Sequence, residues 1–168
     1  GSLGLVSAVL SGTVGLNKSG SGLLELTAAN LYTGLTLVEA GSLVLSGAND
    51  RLWTAGALTI TGGVLDLGGN TQNTTGLVTF NGGTMQNGTY VSTGLAYAGS
   101  LGLVSAVLSG TVGLTKTTGG LLELTAANLY TGLTLVEGGS LVLSGANDRL
   151  WTGGSLTISG GVLDLGGN

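Results

Sequence analysis

The chain has no cysteine, no proline and no histidine. Without cysteine there is no disulfide framework and no thiolate chemistry. With histidine missing as well, the usual transition-metal ligands are gone. The lack of proline removes the residue that would interrupt a backbone ladder. Charge is scarce too. Charged residues make up 7% of the chain, against about 25% in an ordinary globular protein. Four basic and eight acidic residues leave a net charge of −4. No basic patch can form to neutralise phosphates, so nucleic acid is not an expected partner. The surface must therefore be built from Thr, Ser, Asn, Gly and aliphatics, a mixture that associates readily with itself.

From Leu67 to Thr115 there is no charge at all, and "GLAYAGSLGLVSAVLSGTVGL" (residues 94–114) has the look of a weak membrane span. Gly, Ser and Thr interrupt it and β-branched residues alternate through it, which is a strand pattern. The opening "GSLGLVSAVLSGTVGL" has the same words and is not a signal core, because it recurs inside the chain at residues 99–114. No membrane span is expected within the chain, and any export signal is expected to lie outside it.

What the chain has is glycine, 35 residues in 168, and repetition. Residues 99–168 repeat residues 1–70 without a gap and differ at eight of seventy positions. The linking piece, residues 71–98, occurs once. This gives a first full unit, 1–98, and a partial second unit, 99–168, stacked continuously on it. Inside the unit a small residue plus glycine precedes x-Leu-x-Leu at Ser21, Ala40, Gly62, Gly82 and Ala98. The unit thus holds about five coils of roughly 20 residues. Each coil alternates apolar and polar residues. Leu24/Leu26, Leu43/Leu45, Leu65/Leu67, Met85 and Leu101/Leu103 are expected to stack inward, with Glu25, Val44, Asp66, Gln86 and Gly102 facing out. Asn30, Asn49, Asn70 and Asn87 mark corners, where Asn tolerates the left-handed backbone a tight turn needs. A chain that turns at fixed intervals and stacks each coil on the last is an all-β, parallel β-solenoid. At ~4.8 Å per coil, one unit rises ~24 Å. Leu-x-Leu alternation makes no helical face, and so many glycines oppose helix at up to ~1 kcal/mol each.

The words "LTAANLYTGLTLVEAGSLVLSGAN" (residues 26–49) and "LTITGGVLDLGGNTQ" (residues 58–72) resemble the autotransporter-associated β-strand repeat. The resemblance covers residues 23–72 and 121–168. It implies a right-handed β-helix, exported through the cell envelope of a bacterium and displayed outside as a passenger or a large repetitive surface protein. It brings no catalytic residues.

Candidate sites are few. Glu25 and Asp66 share an outward column two coils apart, ~9–10 Å, near the upper limit for an inverting glycosidase at ~9.5 Å. Val44 lies between them and no Lys or His stands by to tune them, so a solvated strand face is the preferred reading and no enzyme is expected. "GGVLDLGGN" approaches a glycine–aspartate calcium repeat, but Asp66 falls one place early, and no metal or other cofactor is expected. Threonines are plentiful without sharing one column, which argues against an ice-binding face. The sequons at Asn17 and Asn73 read as ordinary surface.

There remains "SGANDRLWTAG" (residues 46–56), repeated at residues 144–154. Aligned on its asparagine with "NLYTGLTL", it sets Trp53 level with Tyr32, and Tyr90 two coils on. An aromatic stack of Tyr32, Trp53 and Tyr90, with Tyr130 and Trp151 in the second unit, is the structural expectation. Asp50 and Arg51, with Asp148 and Arg149, are then left as a short exposed bulge for lateral contact. The function expected is a structural segment of an extracellular rod or filament that associates with itself, end to end or side by side. An adhesin module for surface glycans is the alternative, and a carbohydrate-active enzyme a third reading.

Overall fold

The computed structural model describes residues 2–167. Every described element is a strand, and the strands pair in parallel as a β-solenoid of about eight turns. In chain order each coil has three sides. The first side stacks Leu3–Val6, Leu23–Leu26, Ser42–Leu45 and Val64–Asp66, and continues to Leu121–Leu124, Ser140–Leu143 and Val162–Asp164. The second side is shorter: Leu31–Tyr32 on Ser11–Gly12, then Thr71–Thr74, Thr89–Ser92, Val107–Gly110 and Leu129–Tyr130. The third side runs from Leu16–Lys18 through Thr36–Val38 and Leu58–Ile60 to Leu114–Lys116, Thr134–Val136 and Leu156–Ile158.

Two long strands, Val78–Gln86 and Tyr97–Val104, bend from the third side round a corner into the first side of the next coil. Tyr97–Val104 pairs back to Val78–Gln86 and onward to both Leu114–Lys116 and Leu121–Leu124. The ladder therefore passes from one repeat into the next without a break. Residues 94–114, the uncharged stretch, are mostly strand here, and among the described residues no helix is long and apolar enough to cross a membrane.

Alternation explains the interior. Leu43, Leu65 and Met85 lie in register and buried, as do Val38, Ile60 and Phe80. Each such side chain contributes ~1.5–3 kcal/mol by leaving water. Corners need residues without a side chain. A Cβ on Gly34 would lie 2.4 Å from the Gly15 backbone nitrogen of the coil beside it.

One expected register is corrected. Leu101 and Leu103 do not continue the inward leucine column. Val104 does, paired with Met85 on one side and Leu124 on the other, while Leu101 is 42% exposed. Met85 pairs with Val104 and not with Leu101, and the first repeat shows the same phase, with Val6 on Leu26 and Leu5 on Glu25. With a side-chain period of two, that odd displacement exchanges the two faces of the SLGLV word.

Candidate functional site

The corner at Asn49–Arg51 is built from polar groups that replace missing strand pairing. Asp50 has φ 57°, a left-handed backbone that Asp tolerates better than most residues. Its Oδ1 accepts from the Asn73 backbone N (2.8 Å) and Asn73 Nδ2 (3.0 Å), and its Oδ2 from the same Nδ2 (3.1 Å). Arg51 turns its guanidinium onto the carbonyls of Thr27 and Asn49. Both residues are half-buried. In the second unit Arg149 repeats the clasp on Thr125 and Ala146, while Asp148 is exposed with φ 58°. The bulge therefore spends its hydrogen bonds tying three coils together.

Trp53 sits one residue off the expected alignment. Asn30 N donates to Arg51 O and Thr75 N to Thr54 O. Gln72 pairs with Leu52 through its own amide, accepting from Leu52 N at 2.9 Å and donating to Leu52 O at 3.2 Å. These bonds put Leu52 inward beside Asn30 and Gln72. Trp53 falls in the outward column with Leu31 and Asn73, not with Tyr32. It is half-buried, and Trp151 is exposed. Tyr32 and Tyr130 are buried and donate to, or accept from, Thr36 and Thr134. Tyr90 is buried one inward column away, in register with Gln72 and Leu108. The rings in contact among the described residues are Phe80 with Tyr97 (6.4 Å) and Tyr97 with Tyr130 (6.2 Å). Tyr97, its hydroxyl 2.7 Å from the carbonyls of both Tyr90 and Ser109, is the centre of the aromatic interior. Burial pushes the phenols up: Tyr130 to about 12, and Tyr32, Tyr90 and Tyr97 upward as well, with the Thr36 and Thr134 hydrogen bonds offsetting part of the effect.

Glu25, Val44 and Asp66 do occupy one column on successive coils. Both carboxylates are engaged locally. Ser46 Oγ donates to Glu25. Gly68 N, Gln86 Nε2 and Asn87 Nδ2 converge on Asp66 at 2.8, 2.8 and 2.9 Å. Among the described residues no group of three or more acidic side chains is placed to hold a metal ion.

The residues that sequence reading missed are Lys18 and Lys116. Lys18 lies in the inward column with Val38, and Lys116 with Gly99 and Val136. Both are buried. Lys18 Nζ donates to Gly20 O and to Ala40 O (2.8 Å), and Lys116 Nζ to Thr118 O (2.6 Å) and Gly138 O (3.0 Å). Each amine clamps a loop at a corner to the next coil. Desolvation lowers the Lys116 pKa. The signal was in the phase: Lys18 stands two residues after the inward Leu16.

With this geometry in place, comparison with known proteins is decisive about kinship. The pattern of the passenger-associated-transport-repeat matches residues 16–45, 40–67, 114–143 and 138–165, more than half of the chain. The chain belongs to the passenger-associated-transport-repeat family. The matched segments of this passenger repeat span the x-Leu-x-Leu side and the third side, and skip the linking piece. The Neisserial autotransporter lipoprotein NalP of Neisseria meningitidis serogroup B is 44% identical over 72 residues, 41% of this chain and 6% of that protein. The Adhesin BmaC autotransporter of Brucella suis biovar 1 is 33% identical over 133 residues, 68% of this chain and 4% of that protein. The chain thus spans a small fraction of the length of these curated relatives. No solved structure matches it significantly. The kinship agrees with the resemblance read from the sequence and points to a passenger segment on a bacterial surface.

Proposed function

We propose that the chain is a structural stretch of an extracellular passenger: a rod that spaces and displays, performs no chemistry itself and associates with further copies of itself. The observation that carries this reading is the continuity of the ladder across the joint between repeats, where Tyr97–Val104 pairs with coils of both units. A scaffold of this kind lengthens by adding units while its cross-section stays the same. Its polar groups serve the stack. Among the described residues every buried side-chain nitrogen and oxygen has a hydrogen-bond partner, and Asp50, Arg51 and Asp66 are turned onto neighbouring coils.

The test is length. Chains of one, two and four 98-residue units are compared by small-angle X-ray scattering, with surface display in a bacterium checked by protease shaving. The long dimension should grow by ~24 Å per unit at constant cross-section. Growth in all dimensions would sink the rod.

A second reading, adhesion to surface glycans, is favoured by two observations: Leu31 and Trp53 share an outward column beside the Asp50–Asn73 pair, and a relative is named an adhesin. Adhesion that Trp53→Ala abolishes while the rod keeps its length would support it.

A further inference from the structure

Charge is sorted round the rod. Every acidic residue lies on the first side or at the two corners that flank it. Arg51 and Arg149 stand at one of those corners, and the other cations, Lys18 and Lys116, are buried. The corner where the second side turns into the third therefore carries no outward charge. It carries leucine instead. Leu31, Leu35, Leu77, Leu95, Leu129 and Leu133 are 41–53% exposed there, each in a coil with a neighbour above and below. An apolar strip of this kind marks an interaction surface.

The strip has relief. Backbone bonds and register stack Leu35, Ala57, Leu77, Ala96, Gly113 and Leu133 as one column on successive coils. Leucine stands at the first, third and last of these places, with small residues between.

We infer that this uncharged corner is where two copies meet side by side, antiparallel about a two-fold axis at the coil of Leu95. The pairing rests on the rod reading above and names the face that associates. With one copy turned end for end about that coil, its Leu77 faces the other's Gly113 and its Leu133 faces the other's Ala57. Leucine then meets a small residue along the column. Leu95, the most exposed of the six, meets its own counterpart on the axis.

Charge selects a second copy as the occupant. A charged partner finds nothing here to pair with, whereas another copy brings the same uncharged strip. Pairing through it leaves the carboxylates of the two copies on opposite outer sides, farther apart than the ~8 Å over which charges act in physiological salt. Area agrees. About seven coils of overlap at ~4.8 Å, across a strip ~20 Å wide, cover ~700 Å² of each partner, within the ~600–1,000 Å² a partner of stable pairs.

The experiment follows the whole 168-residue chain by sedimentation equilibrium. A concentration-dependent dimer is expected. Leu77→Asp should weaken it at least ~10-fold. Leu101→Asp, the same change at an equally exposed leucine of the first side, should leave it unchanged. Ala57→Leu sets two leucines against each other, and Leu133→Ala opens a gap. Each alone should weaken the dimer ~5-fold, and the two together should restore it. This swap keeps the test independent of any folding defect in Leu77→Asp. A monomer at every concentration, a dimer indifferent to Leu77→Asp, equal weakening by Leu101→Asp, or a double variant no better than its parts would overturn the inference. So would a monomer that captures neutral lipid vesicles through Leu77. Failure of the rod reading would be seen separately, in the scattering dimensions of the one-, two- and four-unit chains at dilutions where each is a monomer.

Discussion

Asp50 holds Asn73 across one coil with three hydrogen bonds, its Oδ1 taking the backbone amide at 2.8 Å and both oxygens sharing the side-chain amide. The residue that looked most like a contact site is thus a clip between coils, set in a left-handed corner. Asp50→Ala should lower stability by ~1–2 kcal/mol, since the bonds involve a charged but half-exposed group. Asp50→Gly loses the same bonds yet relieves the backbone, and should recover ~1 kcal/mol of that loss. Urea midpoints of the two variants check this; equal midpoints would show that the corner is not strained.

The buried phenols give the protein an alkaline limit. Tyr130 is raised from 10.0 to about 12 and Tyr32, Tyr90 and Tyr97 are raised too, first of all by desolvation. A raised pKa means that the folded state holds its proton where the unfolded chain has released it. That stability is complete below pH 10 and is lost as pH rises through about 12. Stability measured by denaturant titration should fall steadily over this window. Tyr130→Phe should flatten the fall, at ~1 kcal/mol cost near neutrality for the bond to Thr134. A slope unchanged by Tyr130→Phe would contradict the assignment.

Lys116 works in the opposite direction. Its pKa is lowered by desolvation, so the unfolded chain binds the proton more tightly, and this group's contribution to stability rises with pH up to about 10.5. Lys116→Ala removes the donor to Thr118 O and Gly138 O and leaves a void beside Val136, and should cost ~2–4 kcal/mol. Lys116→Met keeps most of the volume and ends the desolvation of a cation, so it should cost less than the alanine variant. In both variants the rise below pH 10.5 should vanish. Thermal unfolding at pH 7 and pH 10 separates these outcomes.

Much of this was legible in the sequence because the solenoid is written in a local code. Period-two alternation placed Leu43, Leu65 and Met85 on one inward column, and Glu25, Val44 and Asp66 on one outward column, as the register shows. Parity was the weak point. Alignment on Asn30 and Asn49 sets Trp53 level with Tyr32, whereas the backbone bonds of Asn30 and Thr75 align it with Leu31. A ring can face either way on a short side whose pairing is done by the side chains of Asn30 and Gln72. Lys18 and Lys116 are not legible as interior residues because a cation in an inward phase is stable only where a corner of carbonyls gives it partners.

The same parity governs the final prediction, at the start of the second repeat. "SLGLV" repeats the x-Leu-x-Leu word, so sequence alone puts Leu101 and Leu103 inside. The structure puts Val104 inside, fully buried between Met85 and Leu124, and leaves Leu101 exposed. Leu101→Asp should therefore change stability by no more than ~0.5 kcal/mol, as at an ordinary surface position. Val104→Asp places a carboxylate where nothing can pair with it, and should cost ~4 kcal/mol or more, enough to break the ladder at the joint between units. The pair is decisive because the two readings predict opposite rankings. If Leu101→Asp proved the more damaging, Leu101 and not Val104 would be the residue stacked on Met85 in solution. Hydrogen exchange at Leu114 and Leu122, the coil above, would show which variant opens the joint.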